Sequence, residues 1–204
     1  MSEKIALLLD GGFVRIKLER RLGRFPTVTD VDALCQQILG KPRLAGKALF
    51  RIYWYDSRPY TGTETNPVDG STINLGTDAR ATHNIALVDS LELQPDLAVR
   101  RGSVSFDGWK LKETALDELA KKKRPILPND ISPDLTQKGV DLRVGLDIAW
   151  ISTRRIVDIL VLVTGDSDLV PAMKYARKEG LKVYLEALGH GIKRELRAHS
   201  DYVF

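Results

Sequence analysis

Two short runs constrain this chain more than anything else in it: residues 5–9, Ile-Ala-Leu-Leu-Leu, and residues 159–163, Ile-Leu-Val-Leu-Val. Neither alternates apolar with polar residues, so neither suits a strand with one face in water. Both suit strands covered on two faces, as in a parallel sheet between helices. Each run leads directly into polar residues: Asp10-Gly11-Gly12 after the first, Thr164-Gly165-Asp166-Ser167-Asp168 after the second. Side chains placed there lie at the carboxyl ends of the strands, where open α/β sheets carry their sites.

The rest of the pattern supports the same architecture. Residues 48–55, rich in aromatic and β-branched side chains, read as a further strand, and residues 182–187 as another. Helical spacing recurs between them. Phe13, Val14, Ile16, Leu18 and Leu22 form one helix with Gly23 as its stop, and Thr29 is the expected cap of a second running to Leu39. Further helices are expected over residues 78–91, 142–151, 169–178 and 192–198. Residues 97–109 read as a strand or hairpin around an Asp107-Gly108 turn. Residues 56–76 read as a long surface loop. Residues 121–134, with Pro125, Pro128 and Pro133, read as an exposed connection. Alternating strands and helices make this a three-layer α/β/α fold, Rossmann-like, with a mainly parallel central sheet. Its neighbouring strands should include residues 5–9, 49–55, 159–163 and 183–185. A chain of 204 residues fits one domain, residues 1–204, with an insertion-like region at about 56–135.

Composition removes several classes of function. No apolar run approaches the roughly 18 residues of a membrane span, and the first is too short for a secretory signal and ends at Asp10. Cys35 is the only cysteine, so an internal disulfide is excluded; a reducing cytosol, and hence a cytoplasmic location, is expected. The net charge is only +4, but the cations are clustered: Arg15, Lys17, Arg20, Arg21 and Arg24; Arg100 and Arg101; residues 121–124; Lys193, Arg194 and Arg197. Each cluster has an ordinary use as a solvated helix face. With the acids gathered elsewhere, the division also suits a polyanion, with cations for phosphates and carboxylates for metal. Lys138, and some of Arg15, residues 121–124 or Arg154 and Arg155, are expected to border the acids.

The acids are Asp10, Asp166 and Asp168 at strand ends, with Asp141 and Asp147 about the start of a helix. Six residues turn a helix through about 600°, so Asp141 and Asp147 point roughly 120° apart; Asp141 is the freer to face the site. Crowded carboxylates repel by about 1 kcal/mol per pair at 4 Å in water, so a cluster calls for a cation. An all-oxygen donor set suits Mg²⁺ or Mn²⁺, which activate water for phosphoryl chemistry. His83, His190, His199 and Cys35 have no zinc-ligand spacing. Simpler uses remain: Ser167 or Asp168 as a helix cap, Asp10 as a turn residue, Asp141 as an N-cap, Asp147 as a solvated helix residue.

The segments Leu7-Leu8-Leu9-Asp10-Gly11-Gly12, Gln137-Lys138-Gly139-Val140-Asp141 with Asp147, and Thr164-Gly165-Asp166-Ser167-Asp168-Leu169-Val170-Pro171 together resemble the NYN domain family in its LabA-like branch. Ser200-Asp201-Tyr202-Val203 is similar to that family's closing segment. The resemblance implies a PIN-like nuclease fold whose acidic pocket binds Mg²⁺ or Mn²⁺ and whose substrate is RNA. On that basis Asp10, Asp141, Asp166 and Asp168 are the metal-ligand candidates, and Asp147 is a fifth catalytic acid. Lys138, Ser167, Gly11 and Gly12 are substrate-binding candidates. The chain departs from the pattern at Phe13, where many relatives carry Asn. A haloacid-dehalogenase-like phosphatase is disfavoured, because its second acid would fall on Gly12. A non-catalytic RNA-binding module is the remaining alternative. The expected partner is nucleic acid, RNA in particular, with no membrane and with a homodimer left open.

Overall fold

The computed structural model describes residues 2–204. β1 (Lys4–Asp10) leads into α1 (Gly11–Leu22) and α2 (Val28–Leu39), then β2 (Ala48–Ser57). A small ribbon of β3 (Thr63–Thr65) and β4 (Thr72–Asn74) precedes α3 (Ala79–Leu91), β5 (Leu97–Leu111), α4 (Glu113–Lys122) and β6 (Ile131–Lys138). Then come α5 (Val140–Thr153), β7 (Ile159–Val163), α6 (Val170–Lys178), β8 (Lys182–Glu186), α7 (Arg194–Ala198) and β9 (Tyr202–Val203).

Seven of these strands form one sheet in the order β6-β5-β2-β1-β7-β8-β9. Every pair in it is parallel except β5 with β6. The four apolar runs are neighbours, as their hydrophobicity predicts. β1 shows why both faces had to be apolar: Ala6 and Leu8 join one core cluster, Ile5, Leu7 and Leu9 the other. Val144, Ile148 and Ile151 of α5 and Met173 of α6 cover the first face, together with Leu196 of α7. Val14 and Leu18 of α1, Leu34 and Ile38 of α2, and Leu87 of α3 cover the second. Each such side chain contributes about 1.5–3 kcal/mol by leaving water, so the two layers of helix hold the sheet between them.

Four local readings are corrected or narrowed. The cap of α2 is Thr27, whose hydroxyl and amide both engage Asp30, and not Thr29. Residues 97–109 make no tight hairpin: Gly108, at φ +111°, is a bulge in one long strand whose register shifts between Phe106 and Trp109. Residues 131–134, read as part of a connection, open β6. Pro133 is tolerated there because β6 is the sheet edge. Within residues 56–76 the ribbon β3–β4 stands where an unstructured loop was expected.

The chain order has one consequence for position. From β1 the path moves through α1 and α2 to β2 on one side, whereas β7 pairs with β1 on the other side and proceeds through α6 to β8. The carboxyl ends of β1 and β7 therefore flank a topological switch point, the crevice where open α/β sheets bind ligands. β5 continues past its last pairing with β2 at Gly102, and together with β6 it forms an arm standing beyond that edge.

Candidate functional site

β1 passes into α1 with no loop between them, and Asp10 caps the new helix by accepting the Phe13 amide at 3.0 Å. So tight a junction needs Gly11. A Cβ there would lie 2.7 Å from the Trp54 ring and 2.8 Å from the Tyr55 carbonyl. The second oxygen of Asp10 accepts the hydroxyl of Thr164 at 3.2 Å, and that hydroxyl accepts the Asp166 amide at 3.0 Å. The ends of β1 and β7 are thus tied through one buried threonine. Asp166 in turn accepts the amide of Asp168 at 2.9 Å, capping the single turn at residues 167–169.

Asp10 and Asp166 each cap a helical turn, and the acids also feel one another's charge. Burial pushes the Asp10 carboxyl above the ordinary carboxylate range, and the charges of Asp56 and Asp166 add to it, against the two hydrogen bonds it accepts. Asp141, in the first turn of α5 behind Gly139 in the left-handed region (φ +77°), is raised by burial and by the charges of Asp166 and Asp168. The four acids therefore act on one another. Among the described residues, none of the four pairs with a lysine or arginine, and no three carboxylate, imidazole or thiolate groups are gathered closely enough to hold a metal ion.

Asp147 is engaged differently. Its carboxylate takes Arg100 at 2.8 Å and the Tyr55 hydroxyl at 3.0 Å. Burial and that neighbouring charge keep the Tyr55 hydroxyl protonated well beyond its usual range. Lys138, at the end of β6, is exposed, with its ammonium 3.8 Å from Asp107. Ser167 accepts the Lys193 ammonium at 3.0 Å. Gly11 is buried and Gly12 half-buried beside Asp10.

The expected border of cations is only partly present. Arg15 reaches the site's edge but is spent on Asp56. Arg124 pairs with Asp130 and Glu118 on the far arm. Arg154 and Arg155 follow the end of α5, and Arg155 lies at the other end of the strands, beside Glu3 and Asp158. Sequence reasoning missed four neighbours of the acids. Asp56 closes β2 as Asp10 closes β1, and this same position after a buried run was the available signal. His190 packs edge-on against Phe13 with ring centroids 5.8 Å apart, and the two rings close over Gly165. Thr164 sat inside a quoted motif without a role, and Lys193 was read only as part of a basic cluster.

Among the described residues, no helix is long and apolar enough to cross a membrane. The family model of the NYN domain matches residues 68–204, from just before β4 to the end of the chain. No curated protein matches. A solved structure, that of a protein of unknown function from Vibrio parahaemolyticus, aligns with a TM-score of 0.52 at 14% identity, covering 99% of this chain and 91% of that one. At that identity the likeness shows a shared fold, and it extends over β1 and β2 as well.

Proposed function

We propose, for a chain that belongs to the NYN domain family, a metal-dependent nuclease that hydrolyses phosphodiester bonds in RNA. Its motifs suggest the LabA-like branch. A PIN-like nuclease is what the family indicates, and a nucleic-acid substrate follows from it. The observation that carries the finer reading is the set of carboxylates at the switch point, Asp10, Asp141, Asp166 and Asp168, mutually repelling and without cation partners among the described residues. Structural acids are ordinarily neutralised, as Asp56 and Asp147 are here by Arg15 and Arg100.

An uncompensated all-oxygen donor set fits a hard divalent cation, Mg²⁺ or Mn²⁺. When bound, such an ion supplies Lewis acidity and an acidified water for displacement at phosphorus. Asp10 and Asp166 would hold it, with Asp141 and Asp168 as the further oxygen donors. Thr164 keeps Asp10 oriented. Lys193, through Ser167, brings a positive charge to the rim, and Lys138 stands ready on β6 for a substrate phosphate. Asp147 supports the site by fixing Tyr55 and Arg100. A cytoplasmic location accords with the lone Cys35, whose buried thiol is pushed up to about 12.

The test is Asp10→Asn and Asp166→Asn. Both variants should lose Mn²⁺-dependent cleavage of single-stranded RNA while remaining folded. Mn²⁺ should raise the Tm of the wild type and of neither variant, because only the wild type binds the ion in its native state. Full cleavage by both variants with unchanged Mn²⁺ stabilisation would leave the alternative, a non-catalytic RNA-binding module.

A further inference from the structure

On the α1–α2 face of the sheet, beyond the acids, lies a cavity of about 560 Å³ whose walls carry Lys17, Arg20, Arg21 and Lys41 against a single carboxylate, Glu186. Glu186 is already used: it pairs with Lys41 and accepts the Leu188 amide. Among the described residues, Lys17, Arg20 and Arg21 have no carboxylate within ion-pair distance. Their spacing, i, i+3 and i+4, puts them on one face of α1, where like charges weaken the helix. Lys17 is half-buried and Arg20 and Arg21 are exposed, at the rim of a cavity floored by buried Leu18 and Ile38.

Apolar floor and cationic wall together suit a ligand with a flat apolar part and an anionic part. A nucleotide unit has both. The cavity also communicates with the acids. Phe13, whose amide binds Asp10, has the Lys17 ammonium 5.5 Å from its ring centroid, and its partner His190 follows Gly189 of the cavity rim.

We propose that this cavity is a second subsite for the nucleic-acid strand, taking one phosphorylated nucleotide several positions from the scissile phosphate; the proposal rests on the nuclease reading for what occupies the acids. Helix geometry sets the spacing. Lys17 and Arg21 lie seven and eleven residues beyond Asp10 along α1, or roughly 10 and 16 Å at about 1.5 Å per residue. A stacked strand advances about 3.4 Å per nucleotide, so the subsite sits roughly three to five nucleotides from the cut.

The experiment replaces Lys17, Arg20 and Arg21 together by Gln, which preserves helix propensity at partly exposed positions. Binding of a fluorescent 12-nucleotide single-stranded RNA is followed by anisotropy in EDTA, so that no cleavage intervenes. We expect at least tenfold weaker binding. The slope of log affinity against log salt should shrink by about 0.7, for the one phosphate that the subsite takes. Replacing Lys121, Lys122 and Lys123 by Gln, on the far arm, should change neither. With Mn²⁺, the Gln variant should show a raised KM for the 12-nucleotide RNA and unchanged turnover of bis(p-nitrophenyl) phosphate, which is too small to span both places. Unchanged RNA affinity and salt slope would overturn the subsite whether or not the protein cleaves RNA. Equal losses from the arm variant would reduce the effect to general charge. Adenosine monophosphate binding as tightly as the 12-nucleotide strand would reassign the cavity to a free nucleotide. Absence of cleavage by every protein, with the binding result intact, would overturn the nuclease reading and leave the strand-binding cavity standing.

Discussion

Arg15 holds one of the few carboxylates that this fold buries. Asp56 is 2% exposed and Arg15 17% exposed, and the guanidinium meets both carboxylate oxygens, at 2.8 and 3.2 Å. A unit pair at 2.8 Å is worth about 6 kcal/mol at an effective dielectric near 20, most of it offset by taking two ions out of water. Removing one partner exposes the asymmetry. Arg15→Met keeps the aliphatic stem and its packing but leaves Asp56 ionised and alone, which costs about 3–5 kcal/mol for a buried pair. Because Arg15 retains some contact with water, the lower end is expected, about 3 kcal/mol. For a chain of this size that lowers the Tm by roughly 6–12 °C. The assay is thermal melting by circular dichroism at pH 7 without divalent metal, for Arg15→Met, Asp56→Asn and the double variant. If the stranded charge is the cause, the double variant recovers at least half of the loss, since Asn still accepts the Ser57 amide that Asp56 accepts at 2.8 Å. A double variant as unstable as Arg15→Met would refute the reasoning and assign the loss to packing.

Other outcomes follow from the same geometry. Gly11→Ala places a methyl group within 2.7–2.8 Å of Trp54 and the Tyr55 carbonyl and should destabilise by about 1–3 kcal/mol, read as a fall in the denaturant midpoint with unchanged m-value. The pH dependence of the metal-free protein should carry the mark of Asp10 and Asp141. Both carboxyls are raised in the fold, so their protonated forms favour the native state. That contribution is present at acid pH and is lost as pH rises through the folded values. The Tm of the wild type relative to Asp10→Asn should therefore fall as pH rises above about 4, reference carboxyls titrating near 3.9; a flat difference would contradict it.

What could be read from the residues alone divides along burial. β1, β2, β7 and β8 were legible because a strand covered on both faces admits almost no polar residue, and Leu7, Val161 and Leu185 have no other place to be. β5 was legible as a strand or hairpin but not in its full length, and β6 was not legible, because most of their residues are half-exposed and the pattern is that of a surface segment. Pro133 argued against a strand, and only the edge position that tertiary structure assigns makes it acceptable. At the site, Asp10 and Asp166 stood out by following apolar runs. Asp56 follows one too, but its run is aromatic and the polar stretch after it drew the strand's end into a loop. The engagement of Asp147 by Arg100 joins residues 47 apart in sequence on different elements, and no local pattern reports such a pairing. The basic border failed for the same reason: Arg15 and Arg124 are cations in sequence and halves of ion pairs in space.

The central position of β1 has a consequence for how the molecule comes into being. Thr164 and Asp10, which tie the two sides of the crevice, are 154 residues apart. During synthesis at about 5–20 residues per second, the second neighbour of β1 emerges roughly 8–30 s after β1 itself. Through that interval one side of this largely apolar strand has no partner. β1 and β2 can pair early, but they present an open edge on the ribosome. Loop closure over such a separation also makes this pairing slow relative to local helix formation. A nascent chain of this topology is a natural client for chaperones that shield strand edges, and the proposed site is complete only with its last third.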